Sequence, residues 1–545
     1  MPDILLATLN ARYIHASFGL RYLLANLGEL HSRTALLEFD IHQSPLEIVE
    51  SILARHPRLV GLGVYIWNVR PTLEVVALLK RLRPEIRVVL GGPEVSHEGE
   101  QQEIVALADH TIAGEADLAF APLCRTLLGL PLPDGTPAPA QADRPPRIVA
   151  APLPDLNRLE LPYDLYTDAD LAHRVIYVEA SRGCPFSCEF CLSSLDIPVR
   201  QFPLDRFLGA MGRLLDRGAR QFKFVDRTFN LNLATSRAIL RFFRERWRDG
   251  LFLHFEMIPD RLPEPLRQEI AAFPPGALQF EVGIQSFNPD VCARIQRRQD
   301  VARLENNLRF LRAETGVHVH ADLIAGLPGE TLDSFAAGFD RLVALGPQEI
   351  QFGILKRLRG TPIARHDHDW AMRYNPLPPY DILENRDLDF PTLQRLRRFA
   401  RYWDLVSNSG RFPNTLPLVW ADAASPFHQF LAWSDWLHAE TGQTHAIALD
   451  RLARLLHRWL IQQRLLPPDA VRQAMIHDWN RLGRRDLPPW LAPEESSASS
   501  EPSPPVRPNA AGRHPARRQK RHLAGSSGTM RNPSVPPRTS PPPPE

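Results

Sequence analysis

The sequence predicts an α/β protein: a doubly wound parallel sheet, then a partial TIM-like (β/α)6 barrel, then a helical region and a disordered tail. Three observations predict it. Strand and helix patterns alternate through residues 1–130 and again through 171–358. Beyond about 360 strands disappear while helical periodicity continues. From about 491 the chain is Ser, Pro and Arg with hardly an aromatic residue.

In the first series, strands are expected at Ile4–Leu9, Thr34–Phe39, Leu59–Tyr65, Ile86–Leu90 and His110–Ala113. Helical patterns lie between them, at Leu20–Leu30, Pro71–Arg83 and Glu98–Leu107. Consecutive βα units imply a parallel sheet covered on both faces, with its ligand crevice at the carboxyl ends of the strands. Residues 131–170 are Pro-rich with weak periodicity and read as a linker.

The second series has strands at Val175–Glu179, Gln221–Val225, Phe252–Glu256, Leu278–Gly283, Val317–Ile324 and Ile350–Leu355. Helical stretches include Leu204–Arg217, Asn232–Trp247 and Arg303–Arg312. Barrel chemistry collects on the loops after the strands. Here those positions carry a Cys triad, Asp226-Arg227, Glu256, Gln285-Ser286, Gly326–Glu330 and Lys356-Arg357. Residues 359–490 form the helical region, in which Leu449–Arg464 is strongly amphipathic. Residues 491–545 bury too little apolar surface to offset ordering and are expected to be disordered.

Composition excludes several classes. A chain of 545 residues is too long for one ordinary core, and 44% apolar with 23% charged residues is globular. The net charge of +2 carries no strong nucleic-acid signal, and the Arg richness reads as genomic base composition. No apolar run reaches the ~18 residues of a membrane span. The N-terminus enters a strand with no basic region or cleavage-like site before it, so no leader is expected. Five Cys is an odd number, and three of them fall within a short stretch. That argues for a reducing cytoplasm and a metal site, not a disulfide framework.

Cys184, Cys188 and Cys191 form CxxxCxxC in the loop directly after the first barrel strand. Three thiolates so close can hold three irons of a [4Fe-4S] cubane, leaving the fourth open to a small molecule. Structural zinc wants four ligands, usually as two separated pairs, and no second pair exists; Cys124 and Cys292 are isolated.

This spacing in this position resembles the radical S-adenosylmethionine superfamily over residues 171–358. The resemblance implies that the methionine end of S-adenosylmethionine chelates the open iron. Its reductive cleavage then yields a 5′-deoxyadenosyl radical that abstracts hydrogen from substrate. Phe190, the aromatic before the last Cys, is implied to lie near the adenine. Asp226 ends the strand where many members carry Gly-Gly-Glu, a triplet absent here. Gln285 and Ser286 resemble the segment that meets the ribose, and Gly326 belongs to a glycine-containing adenine-side motif. Glu256 joins them as an S-adenosylmethionine contact, with Arg294 and Arg298 as weaker candidates.

The first series resembles the Rossmann-like cobalamin-binding domain of one large subgroup of that superfamily. The echoes are Gly63-Val-Tyr65-Ile-Trp67-Asn68, Gly91-Gly92-Pro93-Glu94 and Ala113-Gly114-Glu115. They make Tyr65, Trp67, Gly91, Gly92, Gly114 and Glu115 the cobalamin candidates. Domains that ligate cobalt through His use DxHxxG after strand one. Asp40-Ile-His42 lacks the final Gly and follows strand two, and His15 lacks the motif, so no protein ligand to cobalt is nominated. The helical region resembles an uncharacterised C-terminal domain appended to some of these proteins.

The resemblance implies an enzyme that activates an unreactive carbon of a small-molecule or lipid-like substrate, by methyl transfer. Flavodoxin or ferredoxin would be its electron donor. Rearrangement, cyclisation or oxidation, and a non-catalytic corrinoid-binding role, are the alternatives. Methylthiolation of transfer RNA would bring a different N-terminal domain and a C-terminal β-barrel, and neither pattern is present.

Overall fold

The computed structural model describes residues 1–131, 145–483, 487–492 and 516–523. Six parallel strands form the first sheet: β1 (Ile4–Asn10), β2 (Thr34–Asp40), β3 (Leu59–Gly63), β4 (Arg87–Gly91), β5 (His110–Ala113) and β6 (Ile148–Ala150). Their order is β2-β1-β3-β4-β5-β6. Helices α1 (Phe18–Ala25), α2 (Pro45–Leu53), α3 (Val69–Leu82), α4 (Glu103–Leu107) and α5 (Phe120–Leu128) connect them. A central strand covered on both faces has no solvent side on which to alternate, and every residue of β1 is buried. Leu5, Ala7 and Leu9 pack with Ile48 of α2 and Val75 of α3. Ile4 and Leu6 pack on the other face with Leu20 of α1 and Phe120 of α5.

The stretch read as a linker corrects that reading. Residues 132–144 lie outside the described residues, but Ile148–Ala150 adds a sixth strand beside β5. Residues 156–173 form two 3-10 turns and α6 (Asp168–His173), which Thr167 opens with a capping box. Asp170 of α6 and Glu38 of β2 share the buried Arg21, at 3.0 and 2.9 Å. A three-residue strand flanked by prolines has no period to read, which is why the sequence conceals it.

The second sheet begins with β7 (Ile176–Val178). A short antiparallel ribbon, β8 (Ser181–Arg182) and β9 (Arg200–Gln201), then brackets the Cys loop. β10 (Gln221–Phe224), β11 (Phe252–Met257), β12 (Leu278–Gln285), β13 (His318–Ala325) and β14 (Glu349–Ile354) complete a parallel sheet in the order β14-β13-β12-β11-β10-β7, a partial barrel. Helices α7 (Leu204–Asp216), α8 (Leu233–Glu245), α9 (Glu264–Ala271), α10 (Pro289–Arg294), α11 (Val301–Glu314) and α12 (Leu332–Leu345) follow its strands. Here the strands do alternate. In β11 Leu253, Phe255 and Met257 are buried while Phe252, His254 and Glu256 are partly exposed, and β13 alternates in the same way through its second half.

Strands do not vanish after the barrel. A hairpin, β15 (Arg373–Tyr374) with β16 (Ile382–Glu384), precedes α13 (Phe390–Trp403) and α14 (Pro426–Thr441). Among the described residues, those within 1–402 and 423–444 make one compact unit, and those within 403–422 and from 445 onward make another. In the second unit, α15 (Leu449–Gln462) is followed by α16 (Pro468–Arg481), whose buried Asp478 accepts from the backbone of Asn414 and Thr415 at 2.9 Å. Of the tail expected to be disordered, residues 516–523 are the helix α17 (Ala516–Leu523), and Arg518 donates to the Asn408 carbonyl at 2.7 Å. Residues 487–492 are also described, and the rest of the tail lies outside the described residues. No described helix is long and apolar enough to cross a membrane.

Candidate functional site

The Cys loop leaves the sheet through Gly183, at φ 90°, where an added Cβ would lie 2.7 Å from the Asp196 carbonyl. Only glycine fits that conformation and approach. The Cys184 amide donates to the same carbonyl at 3.0 Å, and the Cys191 amide to Cys188 at 3.1 Å. All three thiols open onto one cavity of about 230 Å³, together with Phe190, Glu256 and Gln285. Burial pushes the Cys184 thiol upward, Cys191 and Cys188 add to the shift, and Arg297 opposes it. Arg297 approaches Cys188 Sγ at 3.5 Å and donates to the Gly283 carbonyl.

Among the described residues, no three His, Cys, Asp or Glu side chains converge where one ion would sit. A cubane asks instead for one thiolate per iron, and three thiols around one cavity fit that demand. They do not fit a closed tetrahedral zinc site, which needs four converging ligands.

Glu256, Glu281 and Asp322, on the polar face of the barrel strands, line this cavity. Lys223 and His254 reach Glu281 at 3.5 and 3.1 Å. Arg227 Nη1 donates to both oxygens of Glu256, at 3.0 and 3.1 Å. His320 stands 3.2 Å from Asp322. Burial works against ionising Glu281, but the His254 hydrogen bond and the Lys223 charge outweigh it and hold the carboxyl below its usual range. Burial raises Glu256, Glu281 adds to the shift, and Arg227 opposes it.

A larger cavity, of about 670 Å³, lies at the carboxyl ends of β3, β4 and β5. Tyr65, Trp67, Gly91, Gly92, Gly114 and Glu115 all line it. Buried Asn68 fixes the loop after β3 by accepting from the Tyr65 amide at 2.7 Å and donating to the Leu9 and Gly63 carbonyls at 3.0 Å. Tyr65 and Trp67 stack with centroids 4.4 Å apart. At Gly91 an added Cβ would meet nothing nearer than the Ile112 carbonyl at 3.9 Å, so the missing side chain leaves open volume. Leu20, Leu23, Val89, Ile112 and Phe120 supply an apolar recess. Flat backbone walls, stacked aromatics and an apolar recess fit a corrin and its nucleotide tail. No His, Cys or Met side chain among the described residues lines this cavity.

The two cavities share Ser193 and Arg227 as walls. Arg182 of the ribbon β8–β9 crosses between the sheets, reaching Glu115 at 2.6 Å, Asp117 at 2.9 Å and Glu179 at 2.9 Å. Burial lifts the Glu179 carboxyl to about 7 against the pull of Arg182.

The B12 binding domain family matches residues 4–123, and the radical SAM superfamily matches residues 178–342. The chain carries a B12-binding domain followed by a radical SAM domain. A family described as protein of unknown function (DUF4080) matches residues 368–505. The chain is 26% identical over 314 residues to the cobalamin-dependent radical SAM methyltransferase TokK of Streptomyces tokunonensis, covering 54% of this chain and 46% of that protein. It is 26% identical over 371 residues to an uncharacterized methyltransferase of Pyrococcus horikoshii, covering 63% of this chain and 76% of that one. The chain thus spans about half the length of the first of these relatives. In fold it is similar to the radical S-adenosylmethionine methyltransferase TsrM of Kitasatospora setae, at TM-score 0.53 and 18% identity, covering 69% of this chain and 79% of that one.

Within the radical SAM domain, Phe190, Glu256, Gln285 and Arg298 line the cluster cavity. Four expected contacts lie elsewhere. Asp226 is buried beside the end of β7, accepting from the Ala180 amide at 3.0 Å and Ser181 Oγ at 2.6 Å, and burial raises its carboxyl to about 6. Ser286 is buried and donates to Glu330. Gly326 is covered: an added Cβ would lie 2.6 Å from Ile382 of β16. Arg294 stacks on Trp370 and donates to the Pro328 carbonyl, away from the cavity. In the B12-binding domain, Glu115 lines its cavity, but its carboxylate is engaged by Arg182 and Arg200.

Sequence reasoning missed Arg297, Glu281, Asp322 and Asp260 as cavity residues. For Glu281 and Asp322 the signal was available: charged residues two apart from other polar residues on barrel strands share the inner face.

Proposed function

We propose that this chain is a cobalamin-dependent radical SAM methyltransferase acting on an unactivated carbon. The observation that carries the reading is the shared wall, Ser193 and Arg227, between the two cavities. A substrate lying there would face both at once. Cys184, Cys188 and Cys191 would hold a [4Fe-4S] cluster with one iron left open. Gly91, Gly92 and Gly114, with Tyr65 and Trp67, would hold cobalamin by shape.

When bound, the cluster supplies the electron that cleaves S-adenosylmethionine to a hydrogen-abstracting radical, and cobalamin supplies methyl-carrying capacity. The residues of the chain bind and orient. Arg297, beside Cys188, suits the methionine carboxylate at the open iron. Phe190 and Gln285 suit the nucleoside. The Arg227–Glu256 pair keeps charge fixed at the wall. A small reducing protein such as flavodoxin or ferredoxin, in the cytoplasm, would supply electrons.

The test is turnover of the anaerobically reconstituted full chain with hydroxocobalamin, a reductant and S-adenosylmethionine deuterated in its methyl group. Cobalamin-dependent S-adenosylhomocysteine and cobalamin-independent 5′-deoxyadenosine are both expected. If 5′-deoxyadenosine forms but no methyl label leaves the donor, methyl transfer fails while the cluster assignment stands.

A further inference from the structure

The segment that follows β14 touches both candidate cofactor sites within eight residues. At one end, Arg359 Nε donates to Glu94 at 3.0 Å, in the loop after β4, and lines the larger cavity. Tyr380 Oη donates to the same Glu94 carboxylate at 2.6 Å. Glu98 accepts from Arg359 at 3.2 Å, from Arg357 at 3.4 Å and from the Gly360 amide at 3.2 Å. Glu98 is itself held at φ 52°, a conformation that non-glycine residues adopt at a cost. Gly360 sits at φ 78°, where an added Cβ would lie 2.5 Å from the His97 ring.

At the other end the segment grips the Cys loop. Glu189, between Cys188 and Phe190, is buried. Its carboxylate pairs with Arg365 and accepts from His366 Nε2 at 2.7 Å, and its carbonyl accepts from the Ile363 amide at 3.0 Å. A buried carboxylate held by an arginine and a hydrogen-bonding histidine tolerates little displacement, because losing the Arg365 pair leaves its charge uncompensated.

We propose that residues 357–366 are a positioning strap that sets the corrin cavity and the cluster loop at a fixed spacing. Glu189 and Arg359 are its anchors and act through the loops they hold, not on substrate. This rests on the reading that the two cavities take cobalamin and a cluster.

A strap, unlike two independent structural contacts, makes each end felt at the other. The test uses the full chain reconstituted with iron and sulfide, probed with hydroxocobalamin and S-adenosylmethionine. Glu189→Gln, at the cluster end, should weaken hydroxocobalamin binding about fivefold or more, the range of ordinary coupling between sites. Arg359→Gln, at the corrin end, should alter the change that S-adenosylmethionine makes in the electron paramagnetic resonance spectrum of the reduced cluster. Inserting two glycines between Thr361 and Pro362 preserves both sets of partners and frees their spacing. In that background both cross-effects should vanish. Substitutions that perturb only the site they touch, or cross-effects that survive the insertion, overturn the strap. A Glu189→Gln protein that fails to fold is replaced by Arg365→Lys, read by the same hydroxocobalamin titration. Failure of the unsubstituted chain to bind cobalamin or iron would instead overturn the cofactor reading.

Discussion

The two parallel sheets obey the same βα connectivity and bury their strands differently. In the first, β1 is apolar on both faces, and helices cover both. In the second the strands alternate, and one face presents Glu256, Glu281 and Asp322 to a cavity, with Lys223 and His254 held on Glu281. The first sheet therefore offers a ligand only the ends of its strands, where Gly91 leaves open volume and Gly92 and Gly114 line the rim. The second offers strand ends and an inner wall of fixed charge. A parallel sheet becomes a site either by withdrawing side chains at its rim or by turning polar ones inward.

The largest effect separates cysteines by sheet. Cys188→Ala should reduce reconstituted iron from about four per chain to near none. Cys124→Ala, in the core of the first sheet, should leave iron content unchanged. Equal iron in both variants would break the assignment.

Leu6→Ala in β1 should cost about 2–5 kcal/mol in chemical denaturation, since it opens a cavity between two fully covered layers. A cost below about 1 kcal/mol would mean that the sheet can collapse around the loss.

The inner wall should reveal itself through pH. Glu281 has a folded pKa below its unfolded value, so its contribution is present above the ordinary Glu range, near 4.3, and is lost as pH falls through the folded value. Glu281→Gln should be destabilised by about 1.5–3 kcal/mol at pH 7. The gap in Tm should close as the pH is taken below about 4. A gap that persists into acid would remove the ionic account.

Gln285 closes β12 at φ 71°, beside an irregularity in the pairing. Gln285→Gly should leave stability unchanged or raise it by up to about 1 kcal/mol. S-adenosylmethionine affinity should fall about three- to tenfold, the worth of one hydrogen bond. Unchanged affinity by calorimetry would remove Gln285 from the site.

The smallest effect on the cofactors belongs to neither sheet. Removing residues 493–545 deletes α17, with its half-exposed Arg518–Asp404 pair and its hydrogen bonds to the Asn408 carbonyl. It should cost no more than about 1–3 kcal/mol and leave iron and cobalamin content unaltered.

Sequence by itself determined both sheets, because apolar runs with βα spacing have few other ways to be buried. It also determined the Cys triad, because three thiolates at that spacing suit few other centres, and the glycine rim of the first sheet. Short elements carried no readable period: Ile148–Ala150 joined the first sheet from what read as a linker, and the β15–β16 hairpin interrupted what read as helix. Tertiary structure alone decided which polar residues face a cavity. Asp226, Ser286 and Gly326 stand at strand ends just as Glu256 and Gln285 do. Asp226 was taken by the Ala180 and Ser181 donors, Ser286 by Glu330, and the space over Gly326 by Ile382. Those partners lie 44–56 residues away in the chain, or come from a segment outside the barrel. A side chain's direction is set by whichever distant neighbour satisfies its hydrogen bonds at least cost, and no local pattern records that neighbour.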